Sequence, residues 1–222
     1  MWTTENLGLA QWSEAASTWN VDARGGKNPV TLSNAEINDG RPLFQLCAVD
    51  GALPTASEQF TRQRSWHVNY PQEEQSYALR LAMKPIESTP TLLVMEMTIS
   101  LQTDLLDSHP TLDLDVDCHS IDSVVPSDPT GDDMVPASGS APISIASSDG
   151  HSVSILLGPH DSPFTTNHST DSRLRLRLFG DFLEKGVIRK ARPWIVVGQQ
   201  SPTENELIEL WNQLCKSPLP LA

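Results

Sequence analysis

Leu112-Asp113-Leu114-Asp115-Val116-Asp117-Cys118-His119 alternates strictly between apolar and polar residues, and Arg173-Leu174-Arg175-Leu176-Arg177-Leu178 repeats that period with the opposite charge. Successive side chains of a β-strand point to opposite faces. Asp113, Asp115, Asp117 and His119 therefore share one face, while Leu112, Leu114, Val116 and Cys118 share the other. Like charges two residues apart on a strand stand roughly 7 Å from each other and repel. The arginine row has the same spacing, so we expect the two strands to be neighbours in one sheet, with Asp113, Asp115 and Asp117 facing Arg173, Arg175 and Arg177 as a structural charge ladder. A slip of one residue would turn charges into the core and leucines into water, so the pattern fixes register.

Short alternating or β-branched runs recur along the rest of the chain, separated by Gly, Pro, Asn and Asp, as in an all-β sandwich or barrel. Strands are predicted near 17–23, 29–37, 42–49, 58–69, 76–85, 91–102, 111–120, 142–147, 152–157, 172–179 and 187–197. The expected fold is mainly β: a single-domain antiparallel β-sandwich of about ten strands covering 1–222, with one C-terminal amphipathic α-helix at 202–216. Asp149-Gly150 suits a type I′ hairpin turn between two of these runs. A second hairpin is expected to join the arginine row to Val187–Val197 through Glu184-Lys185-Gly186, with Pro193 marking an edge or a bulge. Ser201-Pro202-Thr203-Glu204 reads as a capping box, and Leu207, Leu210, Trp211, Leu214 and Cys215 follow at helical spacing. Residues 126–142, PSDPTGDDMVPASGSAP, read as a mobile acidic surface loop rich in Pro, Gly and Ser. The stretch Phe182–Arg192 resembles part of uncharacterised bacterial β-rich proteins with no assigned activity. That resemblance covers one predicted hairpin and carries over no functional residue.

Composition narrows the function classes. A net charge of −13 over 222 residues disfavours nucleic acid and anionic membrane surfaces as partners, since both are bound through clustered lysine and arginine. Charge is also segregated: between Lys84 and Arg173 there are fourteen carboxylates, five histidines and no lysine or arginine. No run of about 20 apolar residues is present to span a bilayer, and the opening residues lack the pattern of a signal peptide. A cytoplasmic location is expected on those grounds. Cys47, Cys118 and Cys215 lie too far apart for a CxxC pair and read as small core residues.

Candidate sites remain few. Asp104, Asp107, His109 and His119 supply oxygen and imidazole donors of the kinds that hold metal ions, yet HExxH and the calcium-binding loop are missing. Trp66, His67 and Tyr70, with Arg62, Arg64 and Asn69 nearby, could line a pocket for a sugar or small acid. Alternation would instead turn Trp66 and Val68 inward and leave His67 and Asn69 in solvent. Of the six tryptophans, Trp2, Trp12, Trp19 and Trp66 are candidate stacking platforms for a carbohydrate, whereas Trp194 and Trp211 fit the core. With no GxSxG, GxGxxG or P-loop, no nucleophile is fixed and no cofactor is expected. The leading expectation is a noncatalytic structural or protein-interaction domain, whose partner or second copy would dock through an edge strand or the C-terminal helix. A carbohydrate-binding or carbohydrate-modifying sandwich is the alternative, and a metal-binding protein using the Asp/His segment is the third.

Overall fold

The computed structural model describes residues 1–14, 17–72, 77–126 and 139–218. In chain order its elements are β1 (Trp2–Thr4), β2 (Leu9–Glu14), β3 (Ser17–Asp22), β4 (Gly25–Gly26), β5 (Val30–Ser33), α1 (Ala35–Asn38), β6 (Pro42–Ala48), β7 (Leu53–Thr55), β8 (Glu58–Arg62) and β9 (Ser65–Tyr70). There follow β10 (Ala78–Ser88), β11 (Leu92–Gln102), β12 (Thr111–Asp117), β13 (Ser120–Val124), β14 (Ile143–Ser148), β15 (His151–Leu156), β16 (Thr166–Asn167), β17 (Arg173–Phe179), β18 (Ile188–Ala191), β19 (Trp194–Gly198) and α2 (Glu204–Lys216). Two antiparallel sheets carry the fold. One has the order β1-β2-β3-β5-β6-β12-β17-β16, and the other β13-β14-β15-β19-β11-β10-β9-β8, with β18 also paired to β11.

Apolar alternation on the inner faces builds the sandwich core. Trp19, Phe44, Leu46, Leu112, Leu114, Leu174 and Leu176 from the eight-stranded sheet meet Trp66, Leu79, Leu81, Met95, Met97, Ile99 and Ile195 from the nine-stranded sheet in one buried cluster. A second cluster lies outside the nine-stranded sheet. There Leu207, Trp211 and Leu214 of α2 cover Val94, Ile143, Leu156, Trp194 and Val196. β19 thus has both faces covered, which is why Trp194-Ile195-Val196-Val197 is apolar at every position instead of alternating.

Helix α2 is fastened by one arginine. The Arg192 guanidinium donates to the backbone carbonyls of Leu214, Ser217 and Pro218 at 3.1, 3.3 and 2.8 Å, and lies 3.7 Å from Glu96 Oε2. A cation at the carbonyl end of a helix also favours the helix dipole. The Glu96 carboxylate accepts from Trp194 Nε1 at 3.0 Å, and Trp211 Nε1 donates to the Leu157 carbonyl at 2.8 Å.

Several local expectations need correction. The run 111–120 is not one strand: the Cys118 amide bonds to Ser172 O beside β17, whereas the next amide, of His119, bonds to Ser147 O beside β14. Adjacent residues therefore belong to different sheets. The run 58–69 is a hairpin, β8 against β9. Nor does a hairpin join the arginine row to Val187–Val197, because β17 lies in the eight-stranded sheet and β18 and β19 lie in the other. Residues 180–187 cross between layers instead. Pro193 marks neither an edge nor a bulge: β18 and β19 pair successive parts of β11 in one unbroken register, and Met97 N donates to Pro193 O, so the proline costs the ladder only the bond its missing N–H would have made. At Asp149-Gly150 the hairpin forms, but only Gly150 has a positive φ, of 78°, so the turn is not type I′. The capping box of α2 starts two residues later than read from sequence, with Thr203 as N-cap and Glu206 as its reciprocal partner. The short strands β1, β2, β4, β7, β13 and β16 have no counterpart in the sequence reading and two predicted runs are each two strands, so among the described residues there are nineteen strands and not about ten. Most of 126–142 lies outside the described residues, including Asp128, Asp132 and Asp133.

Candidate functional site

The charge ladder forms part of the eight-stranded sheet. Asp113 stands opposite Arg177, Asp115 opposite Arg175 and Asp117 opposite Arg173. Arg175 donates to both Asp115 oxygens at 2.8 and 2.9 Å, and its Nε also lies 3.4 Å from Asp113. Arg177 donates to both Asp113 oxygens at 2.9 and 3.1 Å, and Arg173 lies 2.7 Å from Asp117. Burial grades along the row: the Asp113 and Asp115 side chains are 5% and 8% exposed, whereas Asp117 is 63% exposed. These carboxylates are occupied by arginine. Cys47 stands beside them, opposite Asp113 on β6, and is half-buried rather than a core residue. Burial, with the Asp115 and Asp113 charges, pushes its thiol up to about 11.

The structure separates the four metal candidates. Asp107 Oδ1 lies 3.5 Å from His109 Nδ1, and both side chains are exposed in the β11–β12 connection. The Asp104 amide donates to Gln72 Oε1. His119 sits beyond the other end of β12, about 20 Å or more away at strand rise, with its Nδ1 3.6 Å from Asp149. Among the described residues no three His, Cys, Asp or Glu side chains gather to hold an ion.

The aromatic candidates divide across the sheet as alternation requires. Trp66 and Tyr70 point into the core, and the Tyr70 hydroxyl donates to Ala23 O at 2.5 Å. Arg64 is structural: its guanidinium pairs with Glu14 at 2.9 Å and lies over the Trp12 ring at 5.1 Å, while its carbonyl accepts from Trp2 Nε1. All six tryptophans are buried, so none offers a stacking platform. His67 and Arg62 remain on the outer face.

There they border a groove of about 410 Å³ on the half of the nine-stranded sheet that α2 leaves uncovered. The side-chain sizes explain its shape. β10 turns Ala78 and Ala82 outward and β11 turns Thr98 and Ser100 outward, giving a low floor, while Phe60, Arg62 and His67 stand on one side and Ile188 and Lys190 on the other. The Phe60 and His67 rings stack at 4.7 Å, 7° from parallel. One cross-strand row runs Asn69, Arg80, Ser100, Lys190. Burial, helped by the Arg62 charge, lowers the His67 pKa, which favours a neutral imidazole able to donate and accept. Among the described residues no carboxylate lines the groove; Glu58 lies beyond Asn69, whose Nδ2 donates to it at 2.7 Å.

Of the residues bordering this groove, the sequence singles out His67 and Arg62 but not Arg80, Ser100, Gln102 or Lys190. The signal available was the outward phase of β10 and β11 and, for Lys190, of β18. A larger open depression of about 950 Å³ lies between α1, α2 and residues 199–202, and its charged lining, Glu36, Glu87, Glu206 and Glu209, is entirely acidic. A third cavity, about 290 Å³, lies beside β18 and shares Lys190 with the groove. It contains Phe179, whose φ of +65° is a strained conformation for a bulky residue, and Asp161, whose pKa burial raises against the opposing effect of the Arg192 amide. Among the described residues no helix is long and apolar enough to cross a membrane.

No protein-family model matches the sequence, and no curated protein matches it significantly. Two solved structures are similar in shape. A candidate aldose 1-epimerase from Escherichia coli K12 matches 86% of this chain and 99% of its own, at 9% identity and a TM-score of 0.46. A candidate kojibiose phosphorylase from the human microbiome matches 97% of this chain, which spans 28% of that protein, also at 9% identity and a TM-score of 0.46. Likeness at this level says nothing about activity.

Proposed function

We propose that the chain is a single noncatalytic binding domain that takes a small hydroxylated, carbohydrate-like ligand on the uncovered half of the nine-stranded sheet. The groove itself carries this reading. It combines a floor of small side chains, hydrogen-bonding groups at Asn69, Thr98, Ser100 and Gln102, and a stacked Phe60–His67 pair as an apolar wall. A few polar groups converging on a concave surface are the usual form of a small-molecule site. Among the described residues the groove pairs its one imidazole with no carboxylate, which supports binding rather than acid–base chemistry there. The expectation of indole stacking is not part of this reading, since the indoles are buried.

Titration calorimetry with glucose, galactose, glucose 6-phosphate and glucuronate tests it, with Ser100→Trp filling the floor and its urea midpoint compared with wild type. Binding by at least one of these compounds, abolished in Ser100→Trp, is expected. Binding that survives this substitution places the site elsewhere, and absence of binding across the panel rejects a carbohydrate-like ligand.

A protein-docking role is the second reading, favoured by exposed Leu105, Leu106, Phe182, Val187 and Ile188 where residues 103–109 meet 181–188. Such a partner would not use the apolar stripe of α2, because Leu207, Trp211 and Leu214 are already buried on the sheet.

A further inference from the structure

Most arginines of this chain already have anionic partners. Among the described residues seven of the fifteen lysines and arginines form ion pairs, all through arginine: Arg24, Arg64, Arg173, Arg175, Arg177, Arg189 and Arg192. Among the described residues the other eight have no carboxylate within ion-pair distance. Three of those, Arg62, Arg80 and Lys190, line the one groove, and Lys84 lies farther along β10 in the same outward phase. At the chain's average composition, fourteen lining residues would bring about two carboxylates and one cation. Among the described residues the groove instead has three cations and no carboxylate.

Leaving three cations together is unfavourable in an empty site. Like charges repel, and the chain has 28 carboxylates with which they could have paired. Arg80 and Lys190 lie in the same cross-strand row with Ser100 between them, so their backbones are about 10 Å apart at ordinary strand spacing. Both side chains are long enough to reach an anionic group held over Ser100. A guanidinium fork and an ammonium are the residue types that recognise phosphate or carboxylate, the former bidentately. Asn69 and Gln102 flank that position with hydrogen-bonding groups suited to hydroxyls.

We propose that the ligand of this groove is an organic anion, a hydroxylated carbon skeleton carrying a phosphate or carboxylate, with Arg80 and Lys190 binding the anionic group and Arg62 supporting it from the far wall. The proposal rests on the groove being the binding site, and it adds the sign of the ligand's charge. It also accounts for a local reversal of charge on a protein whose net charge would otherwise repel such a molecule.

The test compares affinities by titration calorimetry on the full chain. Glucose, glucose 6-phosphate, glucuronate and inorganic phosphate are the probes, and Arg80→Gln/Lys190→Gln is compared with Arg41→Gln, an unpaired cation outside the groove. At least one sugar anion should bind tenfold or more tightly than both glucose and inorganic phosphate. That preference should fall at least tenfold in the double variant and stay unchanged in Arg41→Gln. Both replaced side chains are exposed, so folding should be retained, and the urea midpoint checks it. Equal binding of glucose and the sugar anions, blocked by Ser100→Trp, would overturn the anionic ligand while leaving the groove as the site. Inorganic phosphate binding as tightly as the sugar anions would overturn the hydroxylated skeleton, and sugar-anion binding unaffected by both the double variant and Ser100→Trp would overturn groove and anion together.

Discussion

Replacing Arg175 by methionine should destabilise the protein several times more than the same change at Arg173. Methionine keeps much of the aliphatic length and removes the charge, so the comparison isolates the guanidinium. Arg175 serves two carboxylates that are 5% and 8% exposed, Asp113 and Asp115. Taking one partner from a fully buried pair costs about 3–5 kcal/mol. Arg175 is itself one-third exposed, Asp113 keeps its bidentate partner Arg177, and Asp115 keeps only the longer contact with Arg173, so about 2–4 kcal/mol is the expected loss. Arg173 mainly serves Asp117, which is 63% exposed, and such solvated pairs contribute about 0–1 kcal/mol. Urea unfolding followed by tryptophan fluorescence measures both, with an unchanged denaturant slope confirming that the midpoint reports stability. Charge reversal by Arg175→Glu should cost more still, and adding Asp115→Arg should recover part of the loss. If Arg175→Met and Arg173→Met agree within about 0.5 kcal/mol, or the reversal pair shows no coupling, the buried part of the ladder does not stabilise the sheet as argued.

Three other outcomes are expected. Arg192→Met should lose about 2–4 kcal/mol, because it uncaps three carbonyls at the end of α2 and leaves Glu96 short of a cation; faster amide exchange in α2 with unchanged exchange in β12 would locate the effect, and uniform exchange would contradict it. Stability should fall as pH drops from 7 toward 5.5, since burial holds His67 and His151 below their ordinary value near 6.5. The unfolded chain then binds more protons, so this contribution is present above that value and is lost as pH falls; Asp161, with a raised pKa, opposes it at lower pH. A urea midpoint as steep in pH for His67→Gln/His151→Gln as for wild type would refute that assignment. Cys47, with its thiol pushed up to about 11, should alkylate with iodoacetamide at pH 8 about 100-fold more slowly than an ordinary thiol, and peptide mapping showing a rate within tenfold of free cysteine would count against the combined effect of burial and the neighbouring carboxylates.

The sequence made some parts of this molecule readable for physical reasons. The ladder was visible because alternation and opposite charge specify face and partner at once, and the register of Asp113 with Arg177 follows. The stripe of α2 was equally plain, although Ser201 and Thr203 both offer a capping pattern and the structure uses the second. Where sequence reasoning stopped short, the cause was also physical. The step between sheets at Cys118 and His119 occupies one peptide unit with no glycine or proline to mark it. Strands such as β2, Leu9–Glu14, contribute few apolar residues to the pattern. Least legible was the groove, since it depends on what Ala78, Ala82, Thr98 and Ser100 do not fill, and small residues scattered over two strands form no motif.

The position of β19 has a consequence for how the molecule is made. It lies between β15 and β11, so before residues 194–198 leave the ribosome the nine-stranded sheet exists as two separate pieces, each with an unpaired inner edge. Its partners in β11 were synthesised about a hundred residues earlier, a separation that slows folding because the closure entropy is paid before the contact forms. Until α2 follows, Val94, Ile143 and Leu156 are also bare. The nascent chain therefore carries open strand edges and an apolar surface from the completion of β11 until β19 and α2 emerge, the condition under which chaperone binding competes with aggregation. Shortening the chain before β19 would make that passing state permanent.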